Sequence, residues 1–81
     1  MAKDKPARGS LMRISQAAQA AGVSRQTVEY YIMLGLIVPI RTASGGRRFD
    51  TALVRRVRLI RKLNRSGYTL RSIRETYLSG R

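Results

Sequence analysis

Arg25, Gln26, Glu29 and Tyr30 lie one and four residues apart, a spacing that gathers side chains on neighbouring strips of one helix surface. Their chemistry is recognition by hydrogen bonding. A Gln amide pairs bidentately with N6 and N7 of adenine, an Arg guanidinium with O6 and N7 of guanine, and a Glu carboxylate accepts from N4 of cytosine. Glu29 has a second option, an ion pair with a nearby arginine. A second group, Arg41, Arg47 and Arg48, surrounds Gly45-Gly46, where backbone without side chains can approach a phosphate closely. Bond-breaking chemistry has little to work with. The chain has no Cys and no His, which removes thiol chemistry, most zinc sites and the commonest general base. Its four carboxylates, Asp4, Glu29, Asp50 and Glu75, are scattered. The composition argues against an enzyme and implies neither a metal nor a cofactor.

Charge points to the partner. Lys and Arg number 17 against four acids, a formal net charge of +13 on 81 residues, so a compact unliganded domain repels itself and a polyanion relieves that repulsion. Arg dominates, and the planar guanidinium suits bidentate phosphate and guanine contacts better than a flexible ammonium. A chain of this length forms one domain and buries only about 60–65% of its unfolded surface, so the core is thin and stability marginal. No apolar run approaches the length of a membrane span, and the polar start MAKDKPARGS has no signal-peptide core. The expected location is the cytoplasm, on the nucleoid, with no membrane partner.

The elements that must position these residues follow from caps and periodicity. Ser15 is expected to cap a short helix, Gln16 to Ala21, closed by Gly22. Ser24 caps a second helix running from Arg25 to Leu34 and ended by Gly35. On it Val28, Tyr31 and Ile32 form one face; Gln26, Tyr30 and Met33 point the other way, flanked by Arg25 and Glu29. Two short helices across a tight Gly turn, with an outward polar face on the second, form a helix-turn-helix whose second helix suits a DNA major groove. Leu36 to Arg41 reads as a strand, Thr42 to Gly46 as a turn and Arg47 to Phe49 as a return strand, with Phe49 anchoring the hairpin. Asp50 caps a third helix, Thr51 to Arg65. There Leu53, Val54, Val57, Ile60 and Leu63 face the core, and Arg55, Arg58, Lys62 and Arg65 line the opposite side. Ser66 to Thr69 breaks that helix, and Thr69 caps a fourth whose apolar residues are Leu70, Ile73 and Tyr77. The domain limits are residues 1–11, a disordered basic arm, 12–78, the folded domain, and 79–81, a tail. Lys3, Lys5 and Arg8 in the arm are candidates for a minor groove.

Five motifs in this order resemble the DNA-binding domain of the MerR family of bacterial transcription regulators. They are Ile14-Ser15-Gln16-Ala17-Ala18 with Ala21-Gly22-Val23-Ser24; Thr27-Val28-Glu29-Tyr30-Tyr31; Gly35-Leu36-Ile37; Ser44-Gly45-Gly46-Arg47-Arg48-Phe49-Asp50; and Gly67-Tyr68-Thr69-Leu70 with Ile73. The resemblance implies a winged helix-turn-helix, mainly α, of four helices and a two-stranded hairpin. The hairpin would be one wing and the Gly67-Tyr68 turn a second. By match, Tyr30, Arg47 and Tyr68 would grip the DNA backbone. Ser24, Thr27, Arg41, Arg48 and Arg71 complete the backbone candidates, while Arg25, Gln26, Glu29 and Tyr30 are the candidates for reading bases. The chain departs from the family pattern in three places. Glu29 stands where a basic residue is usual, Ile32 where an acid or amide is usual, and Gly46 where an aromatic is usual, which implies a looser wing tip. Family members continue into a dimerisation helix and an effector domain, so this chain resembles the small kind without an effector.

The expectation is therefore a sequence-specific double-stranded DNA-binding protein, a bacterial or phage transcriptional regulator without its own ligand sensor. One alternative is an excisionase-like architectural accessory in recombination or packaging. Another is a structured-RNA or ribosome-associated protein, since +13 attracts any polyanion. With no heptad run in the last segment, Tyr77 to Arg81, the free protein is expected to be a monomer that assembles on DNA, head to tail on direct repeats.

Overall fold

A computed structural model describes residues 11–78, and the described side chains end at Thr76. The arm candidates Lys3, Lys5 and Arg8, the tail and the Tyr77 side chain fall outside. The element order is α1 (Ile14–Ala21), α2 (Arg25–Met33), β1 (Ile40–Arg41), β2 (Arg47–Arg48), α3 (Thr51–Arg65) and α4 (Leu70–Ile73), which runs on as a π-helical turn, Arg74–Leu78.

The first helix starts two residues before its expected beginning. Its N-cap is Arg13, not Ser15, which lies exposed within the first turn. The reason is a pairing far along the chain: Met12 and Phe49 exchange both backbone hydrogen bonds, each 2.8 Å long. The chain leaves that bridge straight into the helix. Arg13 has no acceptor to offer the first turn, but the Gln16 side chain returns to take the Arg13 N–H at 2.9 Å. At the other end Gly22 adopts a left-handed φ of 74°, and the N–H of Val23 closes on the Ala18 carbonyl at 3.0 Å. This is the helix stop that the sequence requires of a residue without Cβ.

Helix α2 follows its expected cap closely. The Ser24 Oγ accepts from the Thr27 N–H at 3.1 Å, and Val28 and Tyr31 are buried while Met33 is 72% exposed. The apolar stretch after Gly35 divides instead of forming one strand. Leu36 and Ile37 are almost fully buried, whereas Val38 is exposed, and only Ile40–Arg41 pairs with a partner. Two large side chains turned into the core and a proline without an N–H at position 39 leave no ladder to build there. The antiparallel register is Ile40 opposite Arg48 and Arg41 opposite Arg47.

The core sits where the helices meet beneath the hairpin. Ala17, Ala18 and Ala21 give α1 a small face that lets α2 and α3 approach, and Val54, Val57 and Ile60 form the buried stripe of α3. Phe49, with no exposed surface, joins the hairpin to this core. Ile73 brings in α4. Asp50 caps α3 as its sequence position demands, accepting the Leu53 N–H at 2.9 Å, and Thr69 caps α4 through the Ser72 N–H at 3.0 Å. The result is a helix-turn-helix, a two-stranded wing and a second helical corner. Mainly α with one small hairpin is the fold class expected from the residues.

Candidate nucleic-acid interface

The outward face of α2 carries Arg25 and Gln26, both exposed, and Tyr30, with about half its surface in solvent (48%). Its N-terminal turn is set by Ser24 and Thr27, whose hydroxyls lie 2.9 Å apart. One hydroxyl proton joins the two oxygens, which leaves the other to meet an anionic oxygen at the helix start.

Glu29 is engaged by the wing, the second of its two options. Its carboxylate takes a two-pronged ion pair from the wing: Arg47 Nη1 donates to Oε1 at 3.1 Å and Nη2 to Oε2 at 3.0 Å. Both side chains remain partly open to solvent, 32% for Arg47 and 41% for Glu29. Donation from Arg47 is the main reason that the Glu29 carboxyl is held below its ordinary range, with partial burial opposing and the charges of Arg47 and Arg25 adding to the effect. The same bond raises the Arg47 guanidinium further.

The other wing arginines are also held. Arg41 Nη1 donates to the Gly45 carbonyl at 3.3 Å and Arg48 Nη1 to the Arg47 carbonyl at 2.9 Å. The turn between them is braced. The Thr42 N–H bonds the Gly46 carbonyl at 2.9 Å, and the Gly46 N–H bonds the Thr42 Oγ1 at 3.0 Å. These bonds hold the turn across the position where Gly46 lacks a side chain. A Cβ there would come within 3.0 Å of Arg48 Nη1, so the glycine makes room for that guanidinium.

Tyr68 and Arg71 occupy the corner between α3 and α4. Tyr68 is about half exposed. Its backbone is pinned on both sides, N–H to the Leu63 carbonyl at 3.1 Å and carbonyl to Asn64 Nδ2 at 2.8 Å. Arg71 faces Glu75 at 3.6 Å across highly exposed side chains, a pair of little energetic weight.

Three features were not read from the sequence. Arg74 Nη1 donates to the carbonyl of Leu34, the C-cap of α2, at 3.0 Å, and Arg56 Nε to the Leu36 carbonyl in the loop that follows, at 3.2 Å. A carbonyl at a helix C-terminus favours such a cation, but partners 40 and 20 residues away are invisible to local pattern. Second, burial pushes the Tyr31 hydroxyl up in pKa, and the charge of Arg61 draws it part of the way back. Third, an open cleft of about 640 Å³ runs between the turn after α1 and the C-terminal half of α3. It is lined by Arg58, Arg61, Lys62, Arg65 and Ser66. The periodicity of α3 placed Arg58, Lys62 and Arg65 on one wet face without indicating that the Gly22 turn stands opposite.

A helix with an exposed polar face, tied to a basic hairpin and followed by a second basic corner, matches known proteins along nearly its whole described length. Residues 12–79 fit the model of the MerR HTH family of regulatory proteins. The chain belongs to the MerR family. It is 39% identical over 62 residues to the mercuric resistance operon regulatory protein of Bacillus cereus, covering 75% of this chain and 47% of that protein. With the transcriptional regulator CueR of Bacillus subtilis it shares 36% over 63 residues, covering 78% and 44%. The chain thus spans about half the length of the curated relatives it matches. Among solved structures, the lead(II) complex of the regulator PbrR691 from Ralstonia metallidurans superposes with a TM-score of 0.74 at 32% identity, covering 79% of this chain and 51% of that one. HiNmlR, a MerR family regulator lacking the sensor domain and bound to promoter DNA, superposes with a TM-score of 0.72 at 27% identity, covering 80% and 52%. These neighbours share the winged helix-turn-helix fold. Among the described residues, no helix is long and apolar enough to cross a membrane.

Proposed function

We propose that this MerR-family chain binds double-stranded DNA sequence-specifically and regulates transcription. The single observation that carries this is the exposed face of α2, with Arg25, Gln26 and Tyr30 presented from a capped helix beside a basic wing, on a chain of net charge +13. In this reading α2 lies in the major groove and Gln26, Arg25 and Tyr30 touch base edges. Ser24, Thr27, Arg41, Arg48, Tyr68 and Arg71 contact the backbone and set the register, and Arg47 does so in a geometry governed by Glu29. The likeness to HiNmlR, which is bound to promoter DNA, supports the DNA reading over the RNA one. An A-form duplex also hides its major groove from a helix.

Genomic footprinting of the intact protein tests regulation. Protected sites at promoters are the expected outcome. Protection confined to arrays at recombination attachment sites would instead make the chain an architectural accessory. The family is regulatory, and no chemistry is assigned to these side chains beyond recognition.

A further inference from the structure

We propose that Glu29 is a positioning and specificity-determining residue: its carboxylate fastens the Arg47 guanidinium to the recognition helix, so that the wing offers DNA one oriented guanidinium edge in place of a loose cation. This rests on the reading of the chain as a duplex-DNA binder.

The contact geometry carries it. Arg47 approaches end-on, one terminal nitrogen to each carboxylate oxygen, at 3.1 and 3.0 Å. A guanidinium has five N–H groups, and this arrangement uses one on each terminal nitrogen. The Nε–H and the two outward N–H groups remain, in a plane fixed by the fork, and about a third of the side chain is open to solvent. Because Glu29 belongs to α2 and Arg47 to β2, the fork also fixes the wing relative to the helix across 18 residues of chain. The hydrogen bond from Arg48 to the Arg47 carbonyl braces the same point of the strand.

Charge explains why such a device selects. A bare arginine attracts any phosphate at any register. A paired one is nearly neutral at a distance, because the Glu29 carboxylate repels phosphates about as strongly as the guanidinium draws them. The pair contributes only where an acceptor meets the outward N–H groups directly, which requires the helix to be seated correctly. Glu29 therefore lowers attraction to wrong sequences more than to the right one, a repulsive element of the kind that specificity commonly needs.

The test uses the full 81-residue chain and two probes: a random-sequence duplex, and the duplex most enriched by the wild-type chain from a random pool. Glu29→Gln keeps the shape but turns an amide NH2 toward a donor. It should bind the random duplex several-fold more tightly, with a salt slope steeper by about 0.9, the release expected of one further phosphate contact. Its preference for the enriched duplex should fall about tenfold, within the range of one good base or register contact. The charge swap Glu29→Arg/Arg47→Glu should recover any melting temperature lost in the single variants without recovering the preference, since the outward guanidinium edge is then absent from the wing. Equal weakening on both duplexes with an unchanged slope would reduce the fork to a structural strut and overturn the proposal, as would a Glu29→Gln chain indistinguishable from wild type. A wild-type chain that enriches no sequence at all would overturn the DNA reading together with this proposal, and is recognised before any variant is made.

Discussion

Gln26 is exposed on the first turn of α2, beyond the Ser24 cap, and it carries the plainest residue-level expectation. Gln26→Ala should relax preference at one base pair, by about 1–3 kcal/mol, and leave affinity for random duplex nearly intact. Binding to a panel of single-base variants of the enriched site measures this; equal losses on specific and random duplexes would remove Gln26 from base reading. Glu29 supports a second expectation, on pH. Its carboxyl is held below the ordinary range in the folded chain, chiefly by Arg47. A lowered folded pKa means a contribution that is complete above the unfolded carboxyl value and is lost as pH falls through the folded one. Thermal melts of wild type and Glu29→Gln should therefore differ at neutral pH and converge in acid below the carboxylate range. A difference that persists undiminished there would show that the ion pair is not its source. Side-chain type was legible at these positions; occupancy was not. Nothing in the spacing of Glu29 and Arg47 distinguishes a carboxylate that reads cytosine from one that grips a wing.

Among the elements, the ones fixed by near neighbours were readable. Ser24, Asp50 and Thr69 cap helices through bonds to residues three ahead, and Gly22 ends α1 by its own backbone freedom. The start of α1 was misplaced because it depends on Met12 meeting Phe49, 37 residues on. The strand after Gly35 was too long on paper because Leu36 and Ile37 were needed in the core. Arg56 and Arg74 reach the carbonyls of Leu36 and Leu34 only through the fold, from 20 and 40 residues away. Phe49 joins several of these elements at once, as bridge partner of Met12, successor of β2 and predecessor of the α3 cap. Phe49→Ala should cost about 3–5 kcal/mol, a large share of the stability of a domain this small. Denaturant unfolding is expected to show a chain partly unfolded without DNA. A loss below about 1 kcal/mol would mean that the hairpin is not held by that ring.

For the whole molecule, the charge of +13 governs association. Free protomers repel, and neutralisation by phosphates removes the obstacle. The chain is expected to sediment as a monomer alone and to load side by side on duplexes carrying two direct repeats. A stable dimer without DNA, or a preference for inverted repeats, would reveal a symmetric interface instead. The same charge offers the most direct measurement of sequence-specific DNA binding itself: affinity of the full chain for the enriched duplex, a random duplex and an RNA duplex of the enriched sequence, across a salt series. With ~5–8 phosphates contacted, the log–log slope on DNA should be roughly −5 to −7, with the enriched duplex preferred at every salt concentration and the RNA duplex bound no better than random DNA. A slope near zero, or an RNA duplex that competes equally with the enriched site, would contradict recognition of DNA through the α2 face.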